Sequence, residues 1–293
     1  MTQDSSVLIA RGAAAVTARL GTDFPKTAIV LGSGLGGFAR SLDGAVAMPY
    51  ADIPGFSRSS VPGHSGNLIV GRSGPAPVAT GTPVATGTPV ATGTPVAVMQ
   101  GRIHAYEGHA PQTIATPIRI LKALGVERLI LTNAAGGLKP GMTPGTLMLI
   151  TDHINFSGFN PLVGPNDDSI GPRFPDMTDA YDPALRAQLA EAAKRAGVTL
   201  KRGVYLFALG PNFETAAEVR LFASFGADAV GMSTVPECLA ARHCGLRVAG
   251  ISIITNLATG IGGQVLTHTE TLSGAARAAE QLEQVLRAFL TIF

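Results

Sequence analysis

Ala28-Ile-Val-Leu-Gly-Ser-Gly-Leu-Gly-Gly37 is the stretch that decides the architecture. An apolar strand feeding a glycine-rich turn is how α/β proteins expose backbone N–H groups to a phosphate. Gly32, Gly34 and Gly37 also fit the spacing G-x-G-x-x-G, the fingerprint of a dinucleotide-binding turn. Outward from this turn, helical and strand periodicities alternate to both ends of the chain. That alternation predicts a single-domain layered α/β fold over residues 1–293, with a central mixed β-sheet flanked by helices.

The pattern predicts a helix over 6–20, a strand over 27–31, strands over 67–71 and 96–100, a helix over 113–124 and a strand over 128–132. The last of these runs into a second glycine-bearing turn, Asn133-Ala-Ala-Gly-Gly137. Asp182-Pro183 opens a helix that Gly197 closes, because an Asp cap followed by proline suits a helix start and glycine suits its end. Strands over 204–209, 227–232 and 246–255 then alternate with helices over 214–225 and 235–244, and 267–293 reads as a terminal helix. Val78-Ala-Thr-Gly-Thr-Pro83 recurs at 84–89 and 90–95. A hexamer is too short to carry an apolar face of its own, so residues 75–95 read as an expanded Thr-Pro-rich hairpin loop.

Apolar residues make up 46% and charged residues 14%, a low charge content that predicts a surface covered in part by like subunits. A net charge of +2, without a basic run and without tryptophan, offers neither a phosphate-tracking patch nor a stacking platform for nucleic acid. The N-terminus lacks the order of a signal peptide, and no window reaches the roughly 18 apolar residues of a membrane span, so the expected location is cytoplasmic. Cys238 and Cys244 are spaced for neither a zinc cluster nor a redox pair and read as buried free thiols. No metal and no cofactor are expected.

Five segments carry chemistry. In Gln100-Gly-Arg-Ile-His-Ala-Tyr-Glu-Gly-His109, residues two apart share a face of an extended chain, so Arg102, His104 and Tyr106 can point at one anion; a salt-bridged surface strand would show the same pattern. Val61-Pro-Gly-His64 is a turn whose histidine either donates to a phosphate or caps the turn. Phe213-Glu214 at a strand-to-helix junction, Val230-Gly-Met232-Ser233 and Thr255-Asn256 lie where ligands sit in open α/β sheets. A carboxylate accepts from a purine's N1–H and a carboxamide donates to its O6 or N7; equally, Glu214 could be an ordinary helix-start carboxylate.

Taken together these segments resemble the trimeric purine nucleoside phosphorylases. Leu31-Gly-Ser-Gly-Leu-Gly, Val61-Pro-Gly-His-Ser-Gly, Gln100-Gly-Arg-Ile-His-Ala-Tyr-Glu-Gly, Thr132-Asn-Ala-Ala-Gly-Gly, Gly210-Pro-Asn-Phe-Glu-Thr, Gly231-Met-Ser-Thr-Val-Pro-Glu and Ile254-Thr-Asn occur in family order. The resemblance implies phosphorolysis of purine nucleosides and deoxynucleosides to the free base and α-(deoxy)ribose 1-phosphate, with inorganic phosphate as co-substrate. It implies that Ser33, Arg102, His104, Ala134 and Ser233 hold phosphate with His64 nearby, and that Tyr106, Met232 and His268 bind ribose. Phe213, Glu214, Val230, Thr255 and Asn256 would hold the base with Tyr205 close by, and Phe174 from a neighbouring subunit of a homotrimer would close the sugar pocket. Asn256, Glu214 and His104 would carry catalysis. Related methylthioadenosine phosphorylases usually have Asp at the Asn256 position, so asparagine implies a 6-oxopurine, inosine or guanosine. The Thr-Pro expansion and the spacing from Asn256 to His268 depart from the family pattern.

A nicotinamide-dependent oxidoreductase is the rival from another class. Asp52 stands at the right distance to bind ribose hydroxyls, but Met48-Pro-Tyr-Ala-Asp-Ile-Pro54 reads as a proline-bracketed loop and not a strand end. A nucleoside hydrolase would need clustered aspartates for calcium.

Overall fold

Strands β1 (Thr27–Val30), β4 (Thr94–Gln100), β5 (Arg128–Gly137) and β9 (Arg247–Leu257) form the parallel heart of the sheet: β1 pairs with β4 and β5, and β5 with β9. The computed structural model describes residues 2–61, 63–74, 93–261 and 268–293 and, for residues 2–4 and 268–277, the backbone alone. These strands are buried on both faces. Along β1 and the residue after it, Ala28 and Val30 join one core while Ile29 and Leu31 join the other, and Leu129 and Leu131 alternate with Ile130 in the same way along β5.

Helices α1 (Thr2–Leu20), α3 (Pro111–Ala123) and α6 (Val235–His243) supply Val16, Ile118 and Cys238 to the first core. Helices α2 (Gly37–Arg40), α4 (Pro183–Arg195) and α7 (His268–Leu290) supply Phe38, Leu189 and Phe289 to the second. A smaller cluster lies under α5 (Ala216–Ser224), around Val219 and Phe222. The expected layered α/β fold with a mixed sheet is therefore observed.

The sheet continues antiparallel on one side, from β4 to β3 (Asn67–Ser73) and β2 (Asp43–Pro49). The β3–β4 hairpin is the one expected; the Thr-Pro repeat between them lies almost wholly outside the described residues. On the other side β9 pairs antiparallel with β6 (Leu147–Asn155), β6 parallel with β7 (Leu200–Phe207), and β7 parallel with β8 (Ala229–Gly231). Strand β8 then returns to the far end of β5, where Val230 and Ala229 pair with Gly136 and Gly137. The β5, β8, β7, β6 and β9 pairings thus close into a ring.

Strand β1 occupies one edge of β5 only as far as Leu131, and β8 takes the same edge from Gly136. Between them no strand among the described residues pairs with β5 on that edge. Asn133-Ala-Ala, expected as part of a turn, is strand held open on one side, because β9 continues to pair with it on the other.

Several expectations are corrected. The strands β2 and β6 were not expected; β2 is exposed along most of its length and β6 has a half-exposed end, so neither shows a clean apolar run. Met48-Pro49 ends β2 and is not a loop, while Asp52 follows in a 3-10 turn, Tyr50–Asp52, and is exposed. The oxidoreductase reading fails on other grounds. The helix after the Gly32 turn has 4 residues, too short to present a helix dipole to a pyrophosphate, and β2 is separated from β1 by β3 and β4. Cys238 and Cys244 are buried and free, as expected. Among the described residues no helix is long and apolar enough to cross a membrane, and no group of three or more His, Cys, Asp or Glu could hold a metal ion.

Candidate active site

A cavity of about 360 Å³ opens where β5 is left unpaired, at the carboxyl ends of the parallel strands. Its lining comes from the loops after β1 and β4 (Ser33, Arg102, His104, Tyr106), from β5 itself (Ala134) and from the junction after β7 (Phe213, Glu214). The ends of β8 and β9 complete it with Val230, Met232, Ser233, Thr255 and Asn256. The volume suits a small ligand with most of its surface enclosed.

Gly32 is needed where it stands. A Cβ there would meet the Asn133 Cα at 2.9 Å, so only glycine lets the β1 turn lie against β5, where its N–H donates to Thr132 Oγ1 at 3.1 Å. Gly101, with φ of 106°, turns the chain after β4 so that Arg102 enters the cavity floor; a Cβ at Gly101 would strike the His64 ring. Residues 105–107 wind into a 3-10 turn where an extended segment was expected, yet Arg102, His104 and Tyr106 still face one space.

The Arg102 guanidinium is 3% exposed. Its Nη1 donates to Ser233 Oγ and Thr234 Oγ1, each at 3.1 Å, and its Nη2 to the carbonyls of Val30 (3.2 Å) and Thr132 (2.6 Å). Glu237, equally buried, lies 3.3 Å from Nε and supplies the counter-charge. The four Nη bonds fix the guanidinium, while Nε and the Glu237 carboxylate meet as an ion pair without a hydrogen bond between them, and removal of either partner would leave an uncompensated buried charge. Arg102 therefore charges the cavity from behind while hydroxyl groups form the wall.

His64 does not line the cavity. It stands behind Ser33 with Nε2 at 2.8 Å from Ser33 Oγ, and its Nδ1 accepts the Arg102 backbone N–H at 2.9 Å. Because an N–H can only donate, Nδ1 carries no proton, and Nε2–H donates to Ser33. The Ser33 hydroxyl proton is thereby directed away from His64. His104 stacks on Tyr106 with ring centroids 4.8 Å apart, and its Nδ1 and backbone N–H meet Glu107 Oε1 at 3.2 and 2.7 Å. Burial alone would raise the Glu107 carboxyl. Hydrogen bonds from His104 and from Ser60 more than offset it and hold the group well below the usual carboxylate range, so it remains ionised behind His104. Burial, with Glu107 adding to it, pushes the Tyr106 phenol up to about 12 against the opposing pull of Arg102, so its proton stays available for donation.

At the opposite end Glu214 is buried, and burial pushes its carboxyl above the ordinary range. Thr255 Oγ1 donates to Asn256 Oδ1 at 2.8 Å, which orients the amide so that Nδ2 is the end with donor capacity to spare. One of the Nδ2 protons goes to the Leu257 carbonyl at 3.2 Å.

Besides His64, one more expected residue stands behind the cavity wall, and two others are not placed at the cavity of this chain. Tyr205 is fully buried behind Ser233, whose N–H reaches its hydroxyl at 3.3 Å, and does not line the cavity. Phe174 is 88% exposed and absent from the cavity of its own chain. His268 begins α7, and its side chain lies outside the described residues. Residues not anticipated are Asn133, Thr234 and Glu237; the last two sit inside the quoted Gly231-Met-Ser-Thr-Val-Pro-Glu segment, where a buried Glu beside a proline was the available signal.

Comparison with known proteins decides the family. Residues 26–291 match the model of the phosphorylase superfamily. The chain belongs to that superfamily. It is 44% identical to purine nucleoside phosphorylase 1 of Geobacillus stearothermophilus, over 91% of this chain and 90% of that one. The purine nucleoside phosphorylase of Bos taurus is 45% identical over 89% of this chain and 86% of its own. A Schistosoma mansoni purine nucleoside phosphorylase solved in complex with inosine superposes with a TM-score of 0.86 at 36% identity, covering 98% of this chain and 96% of that one. Within the superfamily this chain is a member of the purine nucleoside phosphorylase family, as the ordered motifs imply.

Proposed function

We propose that this phosphorylase cleaves purine ribonucleosides and deoxyribonucleosides with inorganic phosphate, preferring 6-oxopurines, to the free base and α-(deoxy)ribose 1-phosphate. The observation that carries the reading is the polarity of the cavity. One end gathers proton donors around a buried guanidinium, Ser33, His104 and Ser233 before Arg102; the other sets a buried carboxylate, Glu214, and a carboxamide, Asn256. A phosphate dianion suits the first end and a purine the second, with the sugar between Tyr106 and Met232.

Phosphate attacks C1′ from the face opposite the base, the N9–C1′ bond breaks and its electron pair leaves with the purine. The departing charge gathers toward N7 and O6, where the Asn256 Nδ2–H donates; the oxocarbenium-like sugar is stabilised by the phosphate beside it. Glu214, ionised, accepts N1–H. Neither a covalent nucleophile nor a cofactor or metal enters this scheme. Phe174 of a neighbouring subunit in a homotrimer closes the sugar pocket, a role its exposed ring supports, and Tyr205, assigned to the base by family resemblance, supports Ser233 from behind instead. His268 is assigned to the ribose by family resemblance alone. Salvage of purines in the cytoplasm is the corresponding physiological setting.

Release of hypoxanthine from inosine is to be followed with and without phosphate. Release that needs phosphate and yields ribose 1-phosphate is expected; release independent of phosphate would mean a hydrolase. Faster phosphorolysis of methylthioadenosine than of inosine would overturn the 6-oxopurine preference.

A further inference from the structure

Behind Ser233 stands a residue in a conformation that its chemistry disfavours. Thr234 is fully buried and has a φ of 76°, where a β-branched side chain crowds its own backbone. Among the described residues no other non-glycine has a positive φ. Its carbonyl accepts the Cys238 N–H at 2.9 Å as the first turn of α6, so the strained residue joins the cavity wall to the helix that carries Glu237.

The side chain shows what the strained position achieves. Thr234 Oγ1 receives Nη1 of Arg102 at 3.1 Å and Nδ2 of Asn133 at 2.8 Å. A hydroxyl has two acceptor sites and one proton. With both acceptor sites filled by groups that can only donate, the proton must go elsewhere, and Ser233 Oγ lies 3.2 Å away. Ser233 Oγ also receives Nη1 of Arg102 at 3.1 Å. Its acceptor sites are then filled as well, and its own proton is left for the cavity that it lines.

We propose that Thr234 is a positioning residue that makes Ser233 an obligate donor to the anion in the cavity, and that the strained backbone is retained for that purpose. The inference rests on the phosphate reading of the site. It parallels the arrangement at Ser33, where His64 donates from behind. Ser233, which can only donate, and Ser33, whose proton is turned away from His64, favour an oxyanion without protons on the oxygens they meet, so the pair selects the phosphate dianion over its protonated forms. The polarity depends on Asn133 presenting Nδ2. With its oxygen turned to Thr234, the threonine proton would go to the amide and Ser233 would be released.

The test is a double-mutant cycle on the whole enzyme, with inorganic phosphate binding measured by calorimetry and KM values for phosphate and inosine measured beside it. Thr234→Val keeps the size and branching of the residue and removes the hydroxyl. It is expected to weaken phosphate binding about tenfold, the usual scale for a lost bond to a charged group, while the KM for inosine stays within about twofold. Thr234→Ser is expected to restore phosphate binding. In a Ser233→Ala background, where no hydroxyl remains to be oriented, Thr234→Val is expected to have less than about a twofold further effect. If Thr234→Val does not fold, Thr234→Gly, which suits the backbone angle and lacks the hydroxyl, carries the same expectation.

Equal losses in both backgrounds would overturn the proposal, since Thr234 would then act independently of Ser233. Wild-type and Thr234→Val enzymes that bind phosphate equally would overturn it while leaving the phosphorylase reading intact. A wild-type enzyme that binds no phosphate would overturn the phosphorylase reading and the role of Thr234 with it.

Discussion

In the proposed reaction Asn256 and Glu214 divide recognition of the base between a donor and an acceptor, and their surroundings set how each behaves. Thr255 holds the Asn256 oxygen, leaving Nδ2 to meet negative charge on the leaving purine. Loss of one preorganised donor of this kind costs about 3 to 4 kcal/mol in the transition state. Asn256→Ala is therefore expected to lower kcat on inosine by roughly a hundredfold or more, and near-normal turnover in a steady-state assay would remove Asn256 from that role. Asn256→Asp should shift preference toward 6-aminopurine nucleosides, because a carboxylate accepts where the amide donated. Glu214 carries a pH signature. Burial raises its pKa, so on acidification it takes up a proton sooner than an exposed glutamate would and can no longer accept N1–H as an anion. The acid limb of kcat/KM for inosine is thus expected above the ordinary carboxylate range, and Glu214→Gln should abolish that limb. An acid limb unchanged in Glu214→Gln would assign it to another group.

Among the elements, α4 and β9 show how a cap can become a tertiary tie. Asp182 accepts the Leu185 N–H at 2.9 Å as the cap of α4, and its two oxygens also receive Nε and Nη2 of Arg247 on β9 at 2.8 and 2.9 Å. Those bonds from Arg247, against the opposing effect of burial, bring the Asp182 pKa down from 3.8 to about 2. A carboxyl whose pKa is lower folded than unfolded stabilises the fold fully above the unfolded value, and the gain is lost as pH falls through the folded one. Between about pH 4 and pH 2, the wild-type Tm should therefore fall more steeply than that of Asp182→Asn, as read by thermal melts; parallel slopes would show that the tie carries no linked stability. The cap was legible in Asp182-Pro183, whereas the arginine 65 residues away was not. Strands β2 and β6 were hidden for a related reason: an edge or half-exposed strand lacks a continuous apolar run, and what holds it is pairing with a distant partner.

At the scale of the whole molecule the exposed apolar side chains support assembly. Phe174 is 88% exposed and Val163 66%, in a chain with only 14% charged residues. The proposed homotrimer, in which Phe174 would close the neighbour's sugar pocket, accounts for an aromatic ring that its own chain leaves in solvent. Phe174→Ala is then expected to raise the KM for inosine several-fold and leave the KM for phosphate nearly unchanged, with sedimentation still reporting a trimer. A monomeric wild-type protein with full activity would contradict the shared site.

The layered α/β class, most of the strands and helices, and nearly all of the cavity's chemical types are legible in the order of the residues. Apolar period and glycine position are local quantities that face-by-face burial imposes on neighbouring residues. The letter-perfect G-x-G-x-x-G shows the limit of such reading, because the short helix and the strand order that follow it decide which phosphate it could serve. The tertiary structure alone decided the ring of strands that leaves Asn133-Ala-Ala open on one edge, the burial of Arg102 against Glu237, and the direction of each hydrogen bond behind Ser33 and Ser233. Direction is set by which donors converge on one oxygen. Those donors come from positions as far apart as Arg102 and Thr234, separated by 132 residues, so no local pattern contains it.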